Sequence, residues 1–131
     1  MRTSEVLKLG GLYTRKELKK KFKIRDSTIN TGIFQPKDHE SIWLFVTENK
    51  TPDRTQYEDL FDGEVLRIES QPSGRKDKFL IEHEQRGLEI LLFYRKSKFE
   101  NEGYAFRYEG RFRYQDHRGT HPAQFHFIRI P

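Results

Sequence analysis

The spacing of apolar positions changes along the chain and divides it into a helical first part and a β-rich remainder. Leu18 and Phe22 are four residues apart, which is the spacing of one helix face. From Ser41 onward, apolar residues instead alternate with polar ones or form short continuous runs. This pattern predicts one or two short helices followed by a series of strands.

The first helix has a clear start in the sequence. Thr14 stands at the N-cap, and Glu17 three residues later completes a capping box. A second short helix or turn is predicted to begin at Asp26, with Gly32 as its left-handed stop.

Six strands are predicted after position 41. They correspond to SIWLFVT, GEVLRIES, KFLIEHE, LEILLFYR, YAFRYEGRFRY and QFHFIRI. SIWLFVT and LEILLFYR are apolar at successive positions, so both are expected to be buried on both faces of the sheet. GEVLRIES alternates, which places Leu66 and Ile68 inward.

The aromatic run YAFRYEGRFRY predicts a long strand with a bend. Gly110 in its middle indicates a bulge, as a strongly curved sheet requires. The aromatic residues expected on one side of this strand are Tyr104, Phe106, Tyr108, Phe112 and Tyr114. Together the elements predict an α+β fold: a small, curved, mostly antiparallel β-barrel with one or two N-terminal helices, forming a single domain over residues 1–131.

Composition adds limits to this picture. The chain has 131 residues, 34% of them hydrophobic, and its 11 Phe and 6 Tyr allow a core built from few large side chains. It has no Cys, which excludes disulfides, thiolate metal ligands and a cysteine nucleophile. No signal peptide or membrane-spanning run is present, so we expect a cytoplasmic protein, bacterial or archaeal. The chain ends in a predicted strand, so we expect it to be one module of a longer protein.

Positive charge is concentrated near the N-terminus. The net charge is +5, and residues 15–25 hold seven Lys or Arg against one Glu. Such crowding favours an anionic partner over a merely solvated helix face, because the like charges repel one another. The candidate phosphate-binding residues are Arg15, Lys16, Lys19, Lys20, Lys23, Asn30, Lys50, Arg75 and Arg95.

Polar and aromatic residues cluster in the segments that follow the strands SIWLFVT and GEVLRIES. A pocket for an extruded cytosine needs an acceptor for the amino group, donors for the ring acceptors, and an aromatic ring for stacking. Asp59 can accept, Ser70 or Gln71 can donate, and Tyr57 or Trp43 can stack. Two alternatives stay open: Asp59 as a turn residue and Trp43 as a core residue. The candidate base-recognition residues are Trp43, Thr47, Tyr57, Asp59, Ser70 and Gln71.

Catalytic motifs are missing from the sequence. Asp62 and Glu64 lack the nearby lysine of a restriction-type Mg²⁺ site. The histidines of HRGTHPAQFH (His117, His121 and His126) belong to or adjoin a loop and are expected at the surface rather than as zinc ligands. We therefore expect a binding domain without metal or cofactor, with any nuclease or helicase activity in another domain.

A set of short motifs spans nearly the whole chain in order. They are LYTRKEL at 12–18, NxGIF at 30–34, FxTxxK at 45–50, YxD at 57–59, SQxxxR at 70–75, LLFxR at 91–95 and YxG at 108–110. In these motifs the chain resembles SRA/PUA-like domains of modification-dependent restriction systems, in particular the module attached to restriction helicases and histidine-metal nucleases. The resemblance implies recognition of 5-methylcytosine or a derivative in duplex DNA, by base flipping, with cleavage supplied by a nuclease domain or subunit of the same system.

Three rival functions follow from the same residues. An RNA-binding PUA-like domain would share the barrel and the basic surface. A protein-interaction module would dock its basic helix on an acidic partner and bind no nucleic acid. A minimal nuclease would cut DNA by itself with Mg²⁺.

Overall fold

The computed structural model describes residues 1–49, 60–70, 73–120 and 122–131. The helices in these ranges are α1 (Arg15–Phe22) and α2 (Asp77–Ile81), with 3-10 turns at Thr3–Glu5, Ser27–Asn30 and Glu102–Tyr104. The strands are β1 (Leu12–Tyr13), β2 (Ile33–Phe34), β3 (Ser41–Asn49), β4 (Leu60–Phe61), β5 (Val65–Glu69), β6 (Glu89–Ser97), β7 (Phe106–Arg118) and β8 (Gln124–Arg129).

All of these strands belong to one sheet. Its order is β2-β3-β6-β7-β8-β5-β4, and β1 pairs with β7 beside this path. The β3–β6 pair is parallel and the other pairs are antiparallel, which confirms the α+β class and the mostly antiparallel sheet. Within the described ranges the order ends in β2 and β4, so the sheet is open and the predicted barrel closure is not confirmed.

The two central strands are buried on both faces, as predicted for SIWLFVT and LEILLFYR. We call the side covered by α1 the α1 face and the side that receives Leu80 of α2 the α2 face. The core of the α1 face includes Leu18, Phe34, Trp43, Phe45, Leu91, Phe93, Phe106 and Tyr108. The core of the α2 face includes Ile42, Leu44, Leu66, Ile68, Ile90, Leu92, Phe112, Phe125 and Phe127.

The predicted bulge in β7 is confirmed, and it changes which face the aromatic residues occupy. The β6–β7 register shifts where Glu109 and Gly110 lie, and Gly110 has a φ of +93°. Because the extra residue reverses the alternation, Phe106 and Tyr108 pack in the α1 face whereas Phe112 packs in the α2 face. The prediction that the alternating aromatic residues of this run share one side is therefore wrong.

Helix α1 begins as predicted. Thr14 Oγ1 accepts a hydrogen bond from Glu17 N at 2.9 Å, and Glu17 Oε1 accepts one from Thr14 N at 3.1 Å. The helix ends at Phe22 and is capped by Lys23, which is left-handed with a φ of 54°, and Ile24 N donates to Lys19 O at 2.8 Å.

The turn that follows α1 begins at the predicted residue and ends differently. Asp26 Oδ1 accepts from Thr28 N at 2.9 Å, which caps the 3-10 turn. The turn ends at Thr31 in an extended conformation with a φ of −90°, and Gly32 is not left-handed. The predicted Gly32 stop is wrong, because Thr31 Oγ1 donates to Thr28 O at 2.6 Å and helps close the turn instead.

The segment KFLIEHE forms helix α2 and adjoining turns, not the predicted strand. Leu80 and His83 are three residues apart and both buried, which is helical rather than alternating spacing. Gly87, with a φ of +69°, follows these turns in the left-handed conformation.

Candidate anion site

Arg95 lies at one end of the α1 face, where β6 and β3 run in parallel. It is paired in register with Thr47, and its Nε donates to Thr47 Oγ1 at 2.8 Å. Its Nη1 donates to the carbonyl of Tyr104 at 2.7 Å. The guanidinium carbon lies 4.0 Å from the centre of the Phe106 ring, and the residue is only 8% exposed. Arg95 is thus fixed in position by two neutral acceptors and an aromatic face.

Arg15 reaches the same place from the first turn of α1. Its Nε donates to Ile29 O at 3.0 Å and its Nη2 to Thr31 O at 3.4 Å. Its guanidinium carbon lies 4.5 Å from the centre of the Phe45 ring and 5.0 Å from that of Phe106. Two guanidinium groups from distant parts of the sequence therefore contact one phenylalanine ring.

Burial disfavours the charge of both arginines. Burial lowers the pKa of Arg15 to about 10, and the positive charge of Arg95 adds to this effect. Burial likewise lowers the pKa of Arg95. Neither forms an ion pair with a carboxylate in the described part of the chain. Arginine side chains stay protonated at neutral pH, so both carry a positive charge. Two partly desolvated cations whose partners among the described residues are all neutral form a site that an external anion would stabilise.

The other predicted phosphate-binding residues differ in exposure and position. Lys16 and Lys20 are exposed on α1, Lys23 is exposed directly after it, and Lys19 is half-buried. Asn30 is exposed between the two residues whose carbonyls hold Arg15. Arg75 is exposed in the turn before α2. The structure therefore brings together Arg15 and Arg95 with Thr47, whereas Arg75 makes no contact with them in the described residues.

Trp43 and Ser70 do not have the positions that base contact requires. Trp43 is 0% exposed, and its Nε1 donates to Thr3 Oγ1 at 3.1 Å inside the α1-face core. Ser70 is 1% exposed, and its Oγ accepts from Ala123 N at 2.9 Å. Neither side chain presents a free surface to a base, so both are removed from the base-recognition set. For Trp43, the core alternative was the correct one.

Of the other predicted base-reading residues, Thr47 lies beside Arg95, and three fall outside the described ranges. These are Tyr57, Asp59 and Gln71, together with the candidate phosphate ligand Lys50. Their roles stay predictions.

The histidines expected at the surface have protein partners. His126 Nδ1 lies 2.6 Å from Asp116 Oδ1, and His117 Nδ1 lies 2.6 Å from the Tyr114 hydroxyl. His121 falls outside the described residues. Where the structure describes the chain, no group of three or more His, Asp or Glu side chains is arranged to hold a metal ion.

The structure also contains a cavity that the sequence did not predict. It has a volume of about 310 Å³ and is lined by Glu48, Phe61, Arg67 and His126, among others. Its lining comes from β3, β4, β5 and β8, so no local motif signals it. Burial is the main cause that raises the pKa of Tyr94 to about 12, and the nearby carboxylate of Glu48 adds to this effect.

The fold and site define an α+β domain with a mostly antiparallel sheet and two neighbouring arginines, of which Arg95 is buried and Arg15 half-buried. Residues 7–126 match the model of a family described as a domain of unknown function, DUF3427, and the chain belongs to this family. No curated protein was found to match the chain. None of the helices in the described ranges is long and apolar enough to cross a membrane.

Proposed function

We propose that this domain binds nucleic acid through phosphate contacts at Arg15 and Arg95. The supporting observation is that buried Arg95 and half-buried Arg15 both place the guanidinium group on the Phe106 ring. Both have neutral protein acceptors and no described carboxylate partner. A phosphodiester supplies the missing charge, and its oxygens match the planar fork of N–H donors on arginine.

The surroundings favour a polyanion over a single small anion. The exposed lysines Lys16, Lys20 and Lys23 belong to the same helical segment as Arg15. A strand that places one phosphate on the arginine pair can extend its neighbouring phosphates along these lysines. Such contacts add affinity without reading sequence.

The finer proposal is recognition of a modified cytosine in duplex DNA by base flipping, within a modification-dependent restriction system. Thr47 belongs to the arginine site, and the chain runs from β3 directly into residues 50–59, which carry Tyr57 and Asp59. The predicted base-reading residues thus follow the anion site in the chain. In this proposal the domain only binds, and a nuclease domain or subunit of the same system cuts.

Neutral variants of the arginine pair test the phosphate site. Arg15→Met and Arg95→Met keep much of the packing on Phe106 and remove the charge. Each is expected to weaken duplex binding about tenfold. Each should also lower the slope of log K against log salt by about 0.9 for every phosphate that the variant no longer neutralises. Fluorescence anisotropy over a salt series measures both. The matched control is Arg113→Met, an exposed arginine on β7.

A panel of ligands tests the finer proposal. Plain, methylated, hydroxymethylated and glucosylated duplexes are compared with structured RNA at one salt concentration. Asp59→Ala is expected to erase the preference for a modified duplex while leaving most affinity for plain DNA. If Asp59→Ala discriminates as well as wild type, the base-reading assignment is wrong. Preference for RNA would indicate the RNA-binding alternative, and no binding even at low salt would indicate a protein-interaction module.

A further inference from the structure

The hairpin between β6 and β7 displays two aromatic rings to solvent. Phe99 is 71% exposed and Tyr104 is 52% exposed. Their ring centres are 5.7 Å apart in an edge-to-face arrangement, so they pack on each other. Exposed rings that pair outside both cores form a small apolar surface, which is a common feature of binding sites.

Hydrogen bonds hold this hairpin in one conformation. Asn101 Nδ2 donates to Ala105 O at 3.0 Å, and Glu100 N donates to Ser97 O at 3.2 Å. Glu100 Oε1 also accepts from Lys96 N at 3.2 Å. The two rings are thus presented on a fixed hairpin, which lowers the entropy cost of binding a ligand.

Tyr104 is held in a conformation that an aromatic residue rarely adopts. Its φ is 64°, in the left-handed region, and its carbonyl accepts from Arg95 Nη1 at 2.7 Å. Arg95 therefore connects the anion site to the backbone of the exposed tyrosine. A ligand held at Arg95 lies next to this hairpin.

The charged side chains around the hairpin indicate which part of a nucleic acid the two rings can bind. Lys98 Nζ lies 4.9 Å from the centre of the Tyr104 ring and 5.8 Å from that of Phe99. Glu100 and Glu102 are exposed in the same hairpin and repel phosphate. The rings consequently suit an uncharged, planar group better than the backbone of a nucleic acid.

We infer that Phe99 and Tyr104 form a stacking site for an unpaired nucleobase of the strand whose phosphate is bound by Arg15 and Arg95. The inference rests on the proposed function and adds a contact to it. Every nucleobase has an aromatic face, so stacking needs no hydrogen-bond code. The site is separate from the base-reading residues Tyr57 and Asp59, and it contacts a base that has already left its stack.

The test compares a fully paired duplex with a duplex of the same sequence that carries one unpaired base. For the fluorescence measurement, this unpaired base is replaced by 2-aminopurine. Wild type is expected to bind the duplex with the unpaired base about tenfold more tightly than the fully paired one, in the range that base–aromatic stacking contributes. The 2-aminopurine fluorescence should be quenched on binding. Phe99→Ala should lose both the preference and the quenching, and it should keep wild-type affinity and salt dependence for the paired duplex.

Three further variants separate stacking from folding. Tyr104→Phe keeps the ring and should behave as wild type. Tyr104→Gly removes the ring at a backbone position that glycine accepts easily, so it should keep its melting temperature and lose the preference. Ile81→Ala, an exposed apolar residue on α2, is the control and should change neither property.

The outcomes distinguish the two proposals. If Phe99→Ala and Tyr104→Gly keep the preference and the quenching, the stacking site is wrong even though Arg15→Met still weakens binding. If Arg15→Met and Arg95→Met bind all duplexes like wild type, the phosphate site fails. If no nucleic acid binds at low salt, both fail.

Discussion

Arg129 and Arg95 are similar in type and setting but differ in their partners. Both are partly or fully buried, and both place the guanidinium over a phenylalanine ring, Phe112 for Arg129 and Phe106 for Arg95. Arg129 Nη2 is paired with Glu109 Oε1 at 3.1 Å. The described hydrogen-bond acceptors of Arg95 are instead the Thr47 hydroxyl and the Tyr104 carbonyl. An arginine with its own carboxylate has its charge balanced inside the fold, and one without retains the capacity to bind an external anion.

The partners of Arg129 also show what it stabilises. Its Nε donates to Gly63 O at 2.8 Å in the turn between β4 and β5, and its Nη1 donates to the carbonyl of Glu109. Glu109 belongs to the bulge of β7. Arg129 thus connects the β4–β5 turn to the bulge, and its function is structural.

Replacing Arg129 should have the largest effect on stability. Arg129→Met leaves Glu109 partly buried without a partner and removes the bond to Gly63. We expect the free energy of unfolding to fall by about 2–3 kcal/mol, somewhat less than for a fully buried pair. Urea unfolding followed by the fluorescence of Trp43, the single tryptophan, measures the change.

The same variant tests the comparison directly. Below its melting temperature, Arg129→Met should bind duplex DNA as tightly as wild type, whereas Arg95→Met should bind weakly. A folded Arg129→Met protein with reduced affinity would contradict the comparison, because it would place a carboxylate-paired arginine in the binding surface.

Local sequence signals predicted the elements whose cause is local. The capping box of Thr14 and Glu17 and the two-sided strands at SIWLFVT and LEILLFYR depend on neighbouring residues, and the structure confirms them. The strand assigned to KFLIEHE was wrong because a short apolar run suits either element, and the packing of Leu80 and His83 decides it. The two-residue strands β1, β2 and β4 are too short to give a periodic signal.

The sequence named residues of the candidate site, but it did not predict how they are arranged in space. Arg15, Arg95 and Thr47 were all expected to contact nucleic acid, but nothing in the sequence placed both guanidinium groups on Phe106. That contact depends on the β3–β6 register and on how α1 docks. Trp43 was misassigned because an indole N–H can bond a ligand or, as here, a buried hydroxyl from a residue 40 positions away. Only the tertiary structure distinguishes the two.

The smallest expected effect comes from giving Arg95 its own carboxylate. Thr47 Oγ1 already accepts from Arg95 Nε at 2.8 Å, so Thr47→Asp places a negative charge beside the guanidinium. We expect the free energy of unfolding to rise by about 1 kcal/mol, because a charge-assisted bond replaces a neutral one. Urea unfolding measures this gain.

Binding should change in the opposite direction. The carboxylate introduced by Thr47→Asp would occupy Arg95 and repel phosphate, so affinity for duplex DNA should fall about tenfold and the salt slope should decrease. Thr47→Asn, which is neutral and of similar size, is the control and should keep most affinity. Higher stability with unchanged DNA binding would mean that Arg95 does not contact phosphate. Lower stability of Thr47→Asp would mean that the charge of Arg95 is already balanced in the folded protein.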